Sequence, residues 1–205
     1  MMLEESPPLI LASASPRRKE LLELVGVRFE TIPSRADERF LGEESPEEHV
    51  LRLARAKAME VAGHHPDRWV LAADTVVVID GGVLGKPRTR QEAEGMLRKL
   101  SHREHRVITG YCILKTSSPD RREGTVTSRV IFKALAPEEI QWYLDTGEPF
   151  DKAGGYAVQG RAAFMVKEIC GSYTNVVGLP LCEVVEALRE LGIADLILQQ
   201  CFASL

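Results

Sequence analysis

Cysteine is scarce, with four in 205 residues and no two spaced as C-x-x-C. Cys112, Cys170, Cys182 and Cys201 therefore make neither a zinc site nor a disulfide framework, and they are expected as reduced, mostly buried thiols. An excess of positive charge is also missing. The 26 Lys and Arg stand against 30 Asp and Glu, a formal net charge of −4, so a broad basic surface for nucleic acid is excluded and any anion site must be built locally. No stretch approaches the roughly 18 apolar residues of a membrane span. The acidic opening Met1–Pro8 has no signal-peptide core, and the expectation is a cytoplasmic protein with no membrane partner. His49, His64, His65, His102 and His105 fit no metal-ligand spacing and read as surface or structural. There is no G-x-S-x-G elbow, which removes support for serine hydrolase chemistry. Gly85-Lys86-Pro87 is not a Walker A loop: Asp80 stands where the first glycine belongs and proline replaces Ser/Thr. Internal repeats, low-complexity segments and linkers are absent as well.

What is present suits a folded domain: 44% hydrophobic and 27% charged residues. Leu9–Ala12 reads as a strand, followed by a helix with Ser15 at its N-cap, Pro16 at its first position and Gly26 past its end. Val27–Pro33 resembles a second strand. Ser45-Pro46-Glu47-Glu48 is a capping box opening a long helix to about Ala62. Trp69–Ile79 is so apolar that a central strand is expected, closed by the Asp80-Gly81-Gly82 turn. Thr89–Leu100 is a third helix. Arg106–Lys115 and Thr125–Lys133 form a strand pair, joined by a polar loop over Thr116–Gly124. Pro137–Thr146 is a helix, Ala163–Ile169 a strand and Pro180–Leu191 a helix, with a short helix expected over Ile193–Phe202. Intermixed strands and helices place the chain in the α/β or α+β class, with a mixed sheet in a single domain over residues 1–205.

Five segments carry chemistry. Ser13-Ala14-Ser15-Pro16-Arg17-Arg18 follows a strand and opens a helix, where free N–H groups and the helix dipole favour an anion. Two arginines in that first turn oppose the dipole, so helix stability does not explain them. They either grip phosphate or pair with Glu20 or Glu23. Asp74 lies inside the apolar run Ala72–Val77, where a carboxylate is costly unless paired. It is a general base, a metal ligand or a structural acceptor. Lys57 falls on the stripe of Val50, Leu53, Ala54 and Val61, so its ammonium must snorkel or meet an anion. Lys86, after the hairpin, is a weaker ligand candidate. In Asp151–Gly160, paired glycines allow close backbone approach, and Gln159 carries both donor and acceptor for a nucleobase edge. A plain surface loop is the alternative.

Taken together, these segments resemble the Maf family, the septum-formation-inhibitor-like nucleotide pyrophosphatases. The resemblance rests on Leu11–Arg18, Leu53–Ala58, Ala73–Val77, Gly85–Pro87, Asp151–Gly160 and Gly171–Pro180, in family order from about Leu9 to Leu191. The tail from 192 to 205 extends beyond the usual family end. The resemblance implies a two-lobed fold, similar to the inosine-triphosphate pyrophosphatases, with a central twisted mixed sheet flanked by helices and a cleft between lobes. It implies hydrolysis of a nucleoside triphosphate to monophosphate and pyrophosphate with a divalent cation, Mg²⁺ or Mn²⁺, in a homodimer. By the resemblance Asp74 accepts the proton of the attacking water. Glu38 and Asp74 hold the cation, and Ser13, Arg17, Arg18, Lys57 and Lys86 match phosphate-handling positions. Arg17, Thr75 and Gln159 together look like the branch acting on dTTP and UTP. The other readings are the 7-methyl-GTP branch and a non-catalytic regulator of division.

Overall fold

The computed structural model describes residues 9–39, 41, 42 and 44–193. Seven strands form one mixed sheet: β1 Leu9–Leu11, β2 Phe29–Thr31, β3 Val70–Ile79, β4 Gly82–Leu84, β5 Glu104–Leu114, β6 Arg121–Phe132 and β7 Val166–Cys170. Their order is β2-β1-β3-β5-β6-β7, with β4 pairing β3. The helices are α1 Pro16–Leu24, α2 Pro46–His64, α3 Arg90–Leu100, α4 Pro137–Asp145, α5 Tyr173–Val177 and α6 Leu181–Glu190. Three short 3-10 turns, Glu148–Asp151, Ala153–Gly155 and Arg161–Met165, fill the path between α4 and β7. No helix of the described residues is long and apolar enough to cross a membrane.

The pairing of β3 positions the site. One of its edges is covered continuously by β5, from Val70 opposite Leu114 to Val78 opposite Arg106. The other edge is shared. β1 pairs only with Val70 and Leu71, and β4 only with Val77–Ile79. Between them the β3 edge carries no strand partner over Ala72–Val76, the interval that contains Asp74 and Thr75. A cleft opens there.

Alternation along the strands divides the core. Even-numbered side chains of β3, including Val70, Ala72, Val76 and Val78, face α2 with Ala54, Ala58, Val61 and Val50. On the odd face two clusters stand apart. Leu71 and Ala73 pack with α1 and α6, whereas Val77 and Ile79 pack with α3 and α4. The odd face thus has two helical caps over one sheet, and the cleft at the unpaired β3 edge is lined from both faces, by Lys57 and Asp74 on the α2 side and by Thr75 on the other.

Several boundaries differ from the sequence reading. Ser15 holds the extended N-cap backbone before Pro16, but its hydroxyl makes no capping bond. Ser13 Oγ instead accepts the Ser15 N–H at 3.2 Å. The second strand is shorter than Val27–Pro33. β6 starts at Arg121, because Arg121–Gly124 pair with Tyr111–Leu114 rather than looping, leaving a shorter turn. The expected strand over Ala163–Ile169 is a 3-10 turn through Met165 followed by β7. Of the cysteines only Cys112 is buried among those described; Cys170 is half-buried and Cys182 exposed, and all three are free thiols. Cys201 and most of the expected helix over Ile193–Phe202 lie outside the described residues. By contrast the Ser45–Glu48 capping box forms in full, with Glu48 N–H donating to Ser45 Oγ at 3.2 Å and Ser45 N–H to Glu48 Oε2 at 2.8 Å.

Candidate active site

The cleft encloses about 1650 Å³. It is lined by all nine residues singled out from the sequence: Ser13, Arg17, Arg18, Glu38, Lys57, Asp74, Thr75, Lys86 and Gln159. Its volume exceeds the ~300–1,000 Å³ usual for a small-molecule pocket, which leaves room for an extended polyanion with its hydration.

Side-chain alternation puts Asp74 on the α2 face of β3 and Thr75 on the other. α2 presents Lys57 two turns after Val50, and the Lys57 ammonium meets two carboxylates. Asp74 Oδ1 is 2.7 Å away and Glu38 Oε1 2.6 Å away. The stem of Lys57 is buried, so the choice between snorkelling and an anion resolves to the anion. Asp74 is nearly buried as well, whereas Glu38 is half-exposed on the segment before α2. Burial alone would raise the Glu38 pKa. The Lys57 hydrogen bond and charge, with Lys86 and Arg18 further off, outweigh that and hold it below the ordinary glutamate value.

The segment carrying Glu38 is tied to α2 from below. Arg52 donates to both Glu44 oxygens, Nε to Oε2 at 2.7 Å and Nη2 to Oε1 at 2.6 Å, and to the Arg39 carbonyl at 3.0 Å. His49 Nδ1 lies 2.7 Å from Glu44 Oε1. The Arg52 bonds pull the Glu44 carboxyl down to about 2, with burial opposing and His49 assisting.

On the other face Arg18 links three segments. Its Nε donates to the Gly178 carbonyl at 2.8 Å, Nη1 to Ser13 Oγ at 3.1 Å and Nη2 to Thr75 Oγ1 at 3.1 Å. Thr75 Oγ1 also lies 2.9 Å from Thr109 Oγ1, and Thr109 donates to the Asn175 carbonyl at 3.2 Å. Desolvation lowers the Arg18 pKa, the Asp74 charge opposing it. An arginine stays protonated regardless. Three of its five N–H groups are engaged with protein, so two remain for a ligand. Neither Arg17 nor Arg18 pairs with Glu20 or Glu23. Glu23 pairs with Lys19 at 3.6 Å, and Glu20 accepts from Gln159 Nε2 at 3.2 Å.

Arg17, from α1, and Lys86, from the segment after β4, line the cleft, and among the described residues neither makes an ion pair. Gln159 is exposed at the cleft mouth. Thr109 escaped the sequence reading, and Asn175 and Gly178, inside the matched Gly171–Pro180 stretch, were given no role there. Thr109 becomes visible only through its register opposite Thr75, while Gly178 acts through its carbonyl, which leaves no side-chain signature.

No group of three or more His, Cys, Asp or Glu that could hold a metal ion occurs among the described residues. The acidic donors near the cleft floor are Glu38 and Asp74. One oxygen of each lies within 2.7 Å of the Lys57 nitrogen, so these are the carboxylates that could contribute to a cation site, with the remaining oxygen ligands left to water and substrate.

The chain is 56% identical over 184 residues to the dTTP/UTP pyrophosphatase of Syntrophus aciditrophicus, covering 90% of each. It is 52% identical to that of Geotalea uraniireducens, over 93% of this chain and 98% of the other. The dTTP/UTP pyrophosphatase of Geobacillus sp. is 52% identical over 90% of this chain and 98% of its own. More distantly, the fold aligns with the Staphylococcus aureus Ham1 protein at 15% identity and a TM-score of 0.41, over 60% of this chain and 72% of that one. The family described as Maf-like protein matches residues 8–191, and the chain belongs to it.

Proposed function

We propose that the protein is a nucleoside triphosphate pyrophosphatase that hydrolyses dTTP and UTP to the nucleoside monophosphate and pyrophosphate. One observation carries the reading. A carboxylate fixed by a lysine stands at the unpaired β3 edge, in a cleft where Arg17 and Lys86, which make no ion pair among the described residues, suit a triphosphate. The names of the relatives supply the substrate class.

In the reaction a water oxygen attacks the α-phosphorus, the bond from that phosphorus to the bridging oxygen of the β,γ-diphosphate breaks, and the water proton passes to Asp74. Lys57 donates to Asp74 Oδ1 and so sets the direction of the free carboxylate oxygen. Arg17, Lys86 and the remaining N–H groups of Arg18 hold the β,γ-portion and stabilise the charge on the leaving pyrophosphate. The Ser13 hydroxyl steadies Arg18 from the β1–α1 turn. Gln159 offers paired hydrogen bonds to the O4/N3 edge of uracil or thymine once it leaves Glu20, and Thr75 supports that side through Arg18. Magnesium or manganese, held by Glu38 and Asp74, would neutralise phosphate oxygens when bound. A homodimer remains part of the proposal on the family resemblance.

The test is pyrophosphate release from a panel of triphosphates that includes 7-methyl-GTP. Release from dTTP and UTP is expected. Release from 7-methyl-GTP alone, or from no nucleotide, overturns the reading. Asp74→Asn is expected to remove nearly all turnover with an unchanged circular dichroism spectrum; near-normal activity would refute the role given to Asp74.

A further inference from the structure

Behind the cleft lies a buried polar pair that the mechanism does not use. His105 on β5 is 2% exposed and Tyr156 6% exposed, and His105 Nε2 lies 2.7 Å from the Tyr156 hydroxyl. Phe132 of β6 completes a cluster of three rings in edge-to-face contact. Centroid separations are 5.0 Å for His105–Phe132, 5.4 Å for His105–Tyr156 and 4.8 Å for Phe132–Tyr156. Apolar rings alone would pack such a cluster. An imidazole and a phenol there cost desolvation, which their mutual bond offsets at Nε2 and the phenol oxygen, while the buried His105 Nδ1 makes no hydrogen bond among the described residues. Packing alone leaves the pair unexplained, whereas a bond adds direction: it fixes how deep the Tyr156 ring sits and how it is turned.

Tyr156 belongs to the glycine-rich segment that ends in Gln159. That segment is pressed on the sheet at its start. Gly154 has φ +68, a Cβ there would stand 2.9 Å from Val77 Cγ2, and its N–H donates to the Gly85 carbonyl at 3.0 Å. Tyr156 lines the cleft with its backbone neighbours while its hydroxyl reaches the α3/α4 core. A shift of Tyr156 therefore moves Gln159, three residues on, along the cleft wall.

We propose that His105 and Tyr156 form a positioning pair whose hydrogen bond seats the glycine-rich segment and so sets base selectivity at Gln159. This rests on the reading that the segment meets the base of a pyrimidine triphosphate. His105 touches no substrate; it acts through Tyr156.

The experiment compares wild type with Tyr156→Phe, His105→Phe, His105→Gln and the double His105→Phe/Tyr156→Phe variant. It measures kcat and KM for UTP and CTP by pyrophosphate release, with thermal unfolding alongside. Loss of one positioning bond is expected to raise KM for UTP about tenfold and lower the UTP-over-CTP ratio of kcat/KM by a similar factor, with kcat changed little. The double variant should be no worse than either single one, since both remove the same bond. His105→Gln, whose amide can reach the position of Nε2, should recover part of the ratio. If His105→Phe does not fold, Tyr156→Phe, which keeps the ring, still decides. Selectivity unchanged in Tyr156→Phe, with only the melting temperature lowered, overturns the proposal. A wild type that hydrolyses no pyrimidine triphosphate fails the functional reading instead, and the two failures are distinct.

Discussion

Arg18 and Lys57 have opposite relations to the cleft. Lys57 stands between two carboxylates, and both of these acceptors belong to the proposed machinery. Arg18 has three of its donors turned inward to Gly178, Ser13 and Thr75. It is a structural tie as well as the phosphate ligand proposed above. Arg18→Lys keeps the charge but cannot fork, so it should lose about two of three hydrogen bonds, roughly 2 kcal/mol, and lower the melting temperature by about 4–8 °C. A differential scanning measurement checks this; an unchanged melting point would mean the tie carries no stability. The sequence allowed Lys57 to be placed correctly, because helical spacing put it on the buried stripe of α2. It did not disclose the acceptors of Arg18. One is a backbone carbonyl 160 residues away, and no local pattern encodes it.

At the scale of elements, α2 fixes the floor of the cleft. It lies directly against the sheet at Gly110, which pairs with Asp74 across β3 and β5. A Cβ on Gly110 would stand 2.6 Å from the Val50 carbonyl carbon and oxygen, both backbone atoms that cannot swing aside. Gly110→Ala must push α2 away, and Lys57 with it. The expected cost is about 3 kcal/mol with a fall in kcat/KM, read from a denaturant midpoint and a pyrophosphate assay. Wild-type values in both would show that α2 can yield there. Most elements were legible where local chemistry repeats itself: the Ser45–Glu48 capping box, the Asp80–Gly82 turn, and the alternation that buries Ser128, Val130 and Phe132. Arg121–Gly124 were not, since a charged run looks like a loop until β5 supplies eleven residues of partner. The unpaired interval of β3 was illegible for a related reason. It depends on where β1 and β4 stop, and not on β3 itself.

For the whole molecule, His105 adds a pH dependence. Burial pushes its pKa down to about 4, with only the Arg103 backbone opposing. The groups against the ring are Phe132, which does not titrate, and Tyr156, whose pKa burial raises further above its ordinary value. The unfolded chain therefore binds one more proton than the folded one between about pH 6.5 and about 4. Stability is complete above the upper value and falls as pH drops, by about 3 kcal/mol across the window. Carboxylates held low, such as Glu38 and Glu44, add losses of the same sign, but only below the ordinary glutamate range. Urea midpoints for wild type should thus decline from pH 6.5 to 4.5, with a shallower decline in His105→Phe; parallel curves would refute the assignment.

The tie at Arg18 also bears on biosynthesis. The guanidinium leaves the ribosome early, but its Gly178 acceptor is made 160 residues later. At ~5–20 residues per second, about ten to thirty seconds separate the two. Once Asp74 has been made, the nascent chain holds Asp74, Lys57 and both arginines yet lacks the α5 end that closes this wall of the cleft. Catalytic competence therefore arrives late in translation, and a ribosome stalled before Gly178 displays a chain that carries the chemical groups without the enzyme.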